Sequence, residues 1–381
     1  MTALLSGYDF TGCFAGDGCP HSELATTGDH RLPDRLDESL FATTPPAKSG
    51  QPPSEHPTLD FTSGEFSGPA DPAGLPAVGE VIDKYRIEAL IGSGAFAAVY
   101  RATHQLMRST VALKVLHPRV ITQRPHLVEQ LCEEARFISL IDHPNVVRVT
   151  DVTSTGRHTF IVMEFIDGVS LHRAIERDLI RPLEALKIGM HICAGLDAGL
   201  HQGLVHRDIK PGNILIARSG KAKIVDFGLA RNLLDAGQRP GAVEGEVAGT
   251  PAYMAPEQAT SFQTADFRAD IYSLGATLFH AATGRLPFPE SDPLRMVWAH
   301  IHQPPPDARA VVPEFPERFA ALLQRMLAKR PTDRFASYRE LSAEMRSVYD
   351  LLKRQSEARK TTELFSRVKN IFHGRREPER S

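Results

Sequence analysis

The chain has 381 residues, enough for one large domain or two ordinary ones, and its 42% hydrophobic content suits a packed core. A net charge of −2 argues against a dedicated nucleic-acid binder, and no run approaches the roughly 18 apolar residues of a transmembrane helix. The four cysteines, Cys13, Cys19, Cys132 and Cys193, are scattered, which suits a reducing cytoplasm better than a disulfide scaffold.

Residues 1–79 hold eleven Asp/Glu against three Lys/Arg, with ten prolines among many Ser, Thr and Gly. No apolar period persists, so a disordered acidic arm is expected. Its start, MTALLSGYDF, lacks the basic and long apolar regions of a signal peptide. Cys13, Cys19, His21 and His30 do not form a familiar zinc spacing, and unpaired thiols are favoured over a metal site there. From about 80 the character changes. YRIEALI (85–91), AVYRAT (98–103) and TVALKVL (110–116) alternate like strands. The stretch 124–141 places Leu127, Leu131, Glu134 and Ile138 on one helical face, and FIVMEFI (160–166) reads as a buried strand. Beyond 170 the chain is mainly helical, with Pro182 near the first turn of a helix through Ile188, Ile192 and Leu196.

Strands first and helices after predict an α+β chain, with a small, mostly β lobe over about 80–165 and a larger helical lobe over about 167–348. A basic helical tail, 349–381, would follow; residues 353–381 hold nine Lys/Arg against four Glu. Leu364, Val368, Ile371 and Phe372 keep helical spacing there. A membrane-surface or docking helix is one reading; a solvated extension of the last helix is the favoured one.

Several short stretches carry chemistry. In IGSGAFAAV (91–99), Gly92 and Gly94 lie between two strand patterns, as in a flap that lays backbone N–H groups over phosphates. VALK (111–114) puts Lys114 inside a strand, where a buried cation needs an anionic partner; Glu134 is the candidate and a snorkelling lysine the alternative. HRDIKPGN (206–213) is far more specific. Asp208 can accept a proton from a hydroxyl, Lys210 can neutralise a transferring phosphoryl group, and Asn213 can offer a carbonyl oxygen to a hard metal ion. DFG (226–228) follows a short strand, and Asp226 supplies a carboxylate oxygen of the kind Mg²⁺ prefers.

This ordered set, with GTPAYMAPE (249–257) and DIYSLG (270–275), resembles the eukaryotic-like serine/threonine protein kinases of the bacterial style, over about 85–348. The resemblance implies a two-lobed fold with ATP in the cleft and Mg²⁺ as metal, Mn²⁺ being an alternative. It implies that Lys114 pairs with the α/β-phosphates and Glu134, that Asn213 and Asp226 bind the metal, and that Asp208 takes the substrate proton. It places backbone groups of Glu164 and Ile166 at the adenine, Met163 at the gatekeeper position, and Ile91, Gly92 and Gly94 in the flap. Val99 and Ala112 would form the roof and Leu215 the floor. Asp270 would brace the catalytic loop, and Glu257 would pair with Arg334. Lys210 and the GTPAYMAPE segment resemble the Ser/Thr class rather than the Tyr class. Ala97 and Gly212 depart from the family pattern and bear on nucleotide affinity and loop stiffness.

The segment 229–249 contains no Ser, Thr or Tyr, so phosphorylation there cannot be a switch. By resemblance Thr250 bonds Asp208 and Lys210, and Tyr253 falls in the substrate-positioning loop. Glu244 or Glu246 could stand in for a phosphate opposite Arg207, against the reading that both are solvated loop carboxylates. Thr43, Thr44 and Thr58 offer phosphorylation sites in the arm, and the acidic arm and basic tail could associate. Protein substrates, a cytoplasmic location and an open question of homodimer formation complete the expectation. The alternatives are a nucleotide-gated scaffold without transfer, for which degraded Lys114, Asp208 or Asp226 would speak, and a kinase of small molecules, against which the intact GTPAYMAPE speaks.

Overall fold

The computed structural model describes residues 74–94, 96–123, 125–155, 157–227, 251–260 and 265–373, all within the unit spanning 32–381. Side chains at 125–127, 130, 131, 134, 360 and 362–373 are not described. The acidic arm to residue 73 and the final residues 374–381 lie outside this set.

Two lobes of different construction share the chain. The first is a six-stranded sheet of order β1-β2-β3-β4-β6-β5, antiparallel throughout: β1 (Val81–Ile82), β2 (Tyr85–Ser93), β3 (Ala97–His104), β4 (Thr110–Leu116), β5 (Val149–Ser154) and β6 (Thr159–Glu164). Between β4 and β5 lie helices α1 (Pro118–Gln123) and α2 (Pro125–Ser139). The period of two along β4 decides what each face does. Leu113 and Val115 are fully buried with Ala98, Tyr100, Phe160 and Val162 in one core, whereas Ala112 belongs to the core that lines the opposite face. The strand expected over 160–166 stops at Glu164, so Phe165 and Ile166 leave the ladder. β1, β5 and α1 were not legible in the periodicity.

The second lobe is helical, with a small sheet β7 (Gly168–Ser170), β8 (Ile214–Ala217) and β9 (Ala222–Ile224) on its cleft side. Its helices are α3 (Leu171–Glu176), α4 (Pro182–His201), α5 (Pro256–Thr260), α6 (Phe267–Thr283), α7 (Pro293–His302), α8 (Ala308–Val311), α9 (Glu317–Met326) and α10 (Tyr338–His373). Pro182 opens α4 at a position where its missing N–H costs nothing. Ile188, Ile192 and Leu196 are all buried, which makes α4 the centre of the lobe. Asp266 caps α6 by accepting from the Arg268 N–H. The boundary expected at 348 falls inside α10, whose Val348 and Tyr349 are still buried. From Lys353 on, nearly all of its described side chains are exposed. Among the described residues no helix is long and apolar enough to cross a membrane.

Hydrogen bonds stitch the lobes along β9. The Asn145 side chain donates to the Ala222 carbonyl (2.8 Å), its own carbonyl accepts from the Ile224 N–H (2.8 Å), and the Val147 N–H donates to the Ile224 carbonyl (2.8 Å). A connection of the sheet lobe thereby extends β9, the strand that leads into Asp226.

Three histidines, His191 and His300 buried and His280 half-buried, are each pushed down to about 4, chiefly by burial, with nearby cations or His172 adding to the effect. The unfolded chain takes up these protons near pH 6.5, whereas the folded one refuses them until about pH 4. Stability is therefore present above pH 6.5 and lost as pH falls through that window, by at most about 1.4 kcal/mol per pH unit for each histidine. His191→Asn retains an acceptor for the Ala222 N–H. Urea unfolding of this variant at several pH values is expected to show a smaller acid slope than wild type between pH 6.5 and about 4, by at most about 1.4 kcal/mol per pH unit; an unchanged slope would contradict the assignment.

Candidate active site

The catalytic candidates sit on the loop between α4 and β8, whose course is fixed by one acid. The Asp270 side chain, without solvent exposure on α6, accepts from the His206 N–H (2.9 Å), the Arg207 N–H (2.6 Å) and the Tyr338 hydroxyl (3.0 Å). Burial pushes its carboxyl above the ordinary range, while the donors of His206, Arg207 and Tyr338 pull the other way. To present both N–H groups the backbone turns through a left-handed conformation at Arg207, φ 63°. His206 donates from Nε2 to the Val225 carbonyl (3.1 Å), which leaves Nδ1 to accept from the Asp208 N–H (3.1 Å). One imidazole thus ties the loop to the residue before Asp226.

Asp208 follows directly. Its Oδ2 accepts from Asn213 Nδ2 (2.9 Å) and lies 2.9 Å from Lys210 Nζ. Asn213 Nδ2 also reaches the Asp208 carbonyl (2.8 Å), so its amide hydrogens are committed to Asp208 and Oδ1 is the atom of its side chain that can accept. Asp226, itself left-handed at φ 57°, meets Lys114 Nζ at 2.6 Å through Oδ1, with both side chains mostly buried. Asn213 Oδ1 and Asp226 Oδ2 are hard oxygens, suited to a Mg²⁺ that keeps phosphate oxygens and water as its remaining ligands. Among the described residues no group of three or more His, Cys, Asp or Glu is placed to hold a metal.

Above this floor lies an apolar slot. Ile91, Val99, Ala112, Met163, Glu164, Ile166 and Leu215, named above from the resemblance, line it together, and so do Val147, Phe165 and Val225, which were not named. The Glu164 N–H is taken by the Arg148 carbonyl (3.0 Å), and its carboxylate accepts from the Arg148 N–H (2.8 Å) and from Lys223 Nζ (2.7 Å). What Glu164 can still offer a planar heterocycle is its carbonyl; Ile166, clear of the strand, can add its own backbone groups. Gly92 lies in β2 opposite Val99, and Gly94 opens the turn to β3. No positive φ occurs at Ala97, so the missing third glycine does not strain this turn.

The Glu257–Arg334 pair is formed. Arg334, whose side chain is 0% exposed, is bidentate on Glu257 at 2.6 and 2.8 Å, and it also donates to the carbonyls of Arg268, Ala328 and Lys329. Gln258 donates to the Arg207 carbonyl (2.8 Å) and accepts from the Ala255 N–H (3.0 Å). His300 Nε2 donates to the Ala252 carbonyl (3.1 Å), and the Tyr253 hydroxyl shares a hydrogen bond with His280 Nδ1 (2.8 Å). Gln258, His280, His300, Lys223 and Tyr338 carried no sequence signal. Arg207 Nη2 donates to the Ala265 carbonyl (3.1 Å). The Glu134 side chain, Gly228, Glu244, Glu246 and Thr250 lie outside the described residues.

Comparisons agree with this geometry. The protein kinase domain family matches residues 85–345. The chain is 38% identical over 266 residues to the serine/threonine-protein kinase Pkn1 of Myxococcus xanthus, covering 69% of this chain and 38% of that protein. It is 34% identical to PknB of Mycolicibacterium smegmatis, covering 70% of this chain and 43% of the relative. It is also 34% identical to PknL of Mycobacterium tuberculosis, covering 71% of this chain and 66% of that protein. The chain therefore spans less than two thirds of these relatives' length. The crystal structure of the Mycobacterium tuberculosis PknI kinase domain superposes with a TM-score of 0.55 at 27% identity, over 71% of this chain and 98% of that one.

Phe227 is seated edge-on to His206 (ring centroids 5.0 Å apart) and over Gly199, where an added Cβ would lie 2.2 Å from the ring. Gly199→Ala is expected to dislodge Phe227 and to destabilise the chain by about 1–3 kcal/mol, the cost of overpacking. A urea midpoint unchanged from wild type would show that the seat yields.

Proposed function

The chain belongs to the protein kinase domain family, and from that premise we propose that it transfers the γ-phosphate of ATP to Ser and Thr hydroxyls of protein substrates. The observation that carries this is a chain of contacts: Asp226, which lines the apolar slot, meets Lys114, and the Val225 N–H beside it donates to the carbonyl of Asn213, whose side chain bonds Asp208. Adenine would lie between Ala112, Val99 and Leu215, with the Glu164 carbonyl and Ile166 backbone at its edge. Lys114 would hold the α/β-phosphates. Asn213 and Asp226 would hold Mg²⁺, which supplies charge neutralisation to the phosphates.

The proton has a defined destination. Asp208 Oδ2 is engaged by Asn213 and Lys210, so Oδ1 is the oxygen that orients the incoming hydroxyl and accepts its proton. Lys210 sits beside the same carboxylate, where it can stabilise charge on the transferring group. Positioning and electrostatics do most of the work in phosphoryl transfer, so these few groups suffice. Glu134 as partner of Lys114 and Thr250 as partner of Asp208 and Lys210 belong to the same proposal. The absence of any hydroxyl in 229–249 supports a kinase not switched by phosphorylation there.

The test is phosphate transfer from labelled ATP to a generic protein substrate. Asp208→Asn is expected to lower the rate by about 10²–10⁴-fold while ATP binding persists. Phosphatase treatment beforehand should leave the wild-type rate unchanged. Transfer no faster in wild type than in Asp208→Asn, with ATP bound by both, would replace the enzyme by a nucleotide-gated scaffold.

A further inference from the structure

The glycine-rich turn is fastened to the rest of its lobe by a residue outside the site described so far. His117 stands between β4 and α1, three residues after Lys114, and is 1% exposed. Its Nε2 lies 2.8 Å from the Gly94 carbonyl. A carbonyl only accepts, so Nε2 carries the proton and donates. The His117 backbone N–H donates to the Phe96 carbonyl (2.9 Å). Two carbonyls of the turn from Gly94 to Ala97 are thus held by one residue, and the Gly94 N–H closes the turn on the Ala97 carbonyl (2.9 Å). The Phe96 ring packs with Leu116 and Val120, beside Ile121 and Val128 of α1 and α2.

We propose that His117 is a positioning residue for the nucleotide phosphates, latching the glycine-rich turn to α1 and α2 so that it is already ordered when the nucleotide arrives. The proposal rests on the reading of the cleft as an ATP site. A glycine turn loses much backbone freedom when it closes over a ligand, and that loss weakens binding. A turn held beforehand by two hydrogen bonds and an aromatic anchor has less to lose. The absent Cβ at Gly94 is consistent with a backbone kept clear for a ligand. The turn itself does not require it, since an added Cβ would meet only the Ala97 carbonyl, at an ordinary 3.7 Å, and φ there is not in the left-handed region. The latch follows directly on β4, the strand that carries Lys114 and pairs Leu116 with Ala97, so the height of the turn and the reach of Lys114 depend on one strand register.

The effect belongs to the phosphate end of the nucleotide, which separates it from a general loss of stability. Binding of Mg·ATP and of adenosine is measured by calorimetry for the wild type, His117→Phe and His117→Gln. His117→Phe, which fills the site without a donor, is expected to weaken ATP roughly 3- to 10-fold, the scale of one hydrogen bond, and adenosine by less than about twofold. His117→Gln, whose amide can donate to the Gly94 carbonyl, should recover the loss. Phe96→Ala, at a half-buried position, should give the same ATP-selective loss and serves if the first variant does not fold. Equal losses for ATP and adenosine, or no loss for ATP in either variant, overturn the latch. A wild type that binds adenosine and ATP equally, or neither, removes the ATP reading and the latch with it.

Discussion

Asp270 is a charge-bearing group with no access to water, placed among helices, and such a group persists only where donors surround it. Its three donors come from the His206 and Arg207 backbone and from Tyr338 at the start of α10. Meeting that demand turns the chain through a left-handed residue, aims His206 at Val225, and fixes the course of the loop that carries Asp208. The conformation at Arg207 is unfavourable by itself and survives because the carboxylate requires it. Arg334 repeats the principle with opposite sign: a fully buried guanidinium is matched by Glu257 and three carbonyls, which closes the helical lobe around the segment after residue 250.

The two lobes are then free to differ in stiffness. The sheet lobe meets the helical one through the 145–147 connection on β9, through the chain after Glu164, and through the Lys114–Asp226 contact. Glu164 adds a bond from its carboxylate to Lys223 on β9, three residues before Asp226, so the strand that ends at the slot and the strand that leads to the metal-binding candidate are held by the same ion pair. Everything that would touch a nucleotide from below is braced by buried polar groups. What would touch it from above is a hairpin.

Much of this was legible from residue order because the chemistry is concentrated in short runs. Asp208, Lys210 and Asn213 are neighbours in sequence, and Asp226 opens the next motif, so their meeting required only one strand–loop–strand arrangement. The alternation of β4 was legible as a strand, whereas the place of Ala112 came from the resemblance and the sequence left the burial of Lys114 open. The groups that hold these residues were not legible, because each acts across a long separation: Tyr338 reaches Asp270, Gln258 reaches Arg207, and His300 reaches Ala252. A buried histidine or tyrosine has no period and no flanking signal until the partner is known. The end of the FIVMEFI strand at Glu164 was missed for a related reason. Phe165 and Ile166 are apolar enough to continue a ladder, but they have left the sheet to line the slot.

Met163 has a further consequence. It is a wall of the apolar slot and also of a second, inner cavity lined by Lys114, Ile138, Val149, Ile161, Phe227 and Ile224. A thioether with three rotatable bonds is a compliant partition, unlike a β-branched side chain locked in one rotamer. A synthetic ligand that fills the slot and carries a slim apolar arm can press this partition aside and gain the space behind it, where the walls are mostly hydrocarbon and aromatic, with the Lys114–Asp226 pair on one side. Selectivity against other proteins with the same slot would then be decided by the bulk and compliance of that one side chain, rather than by the groups that carry the chemistry.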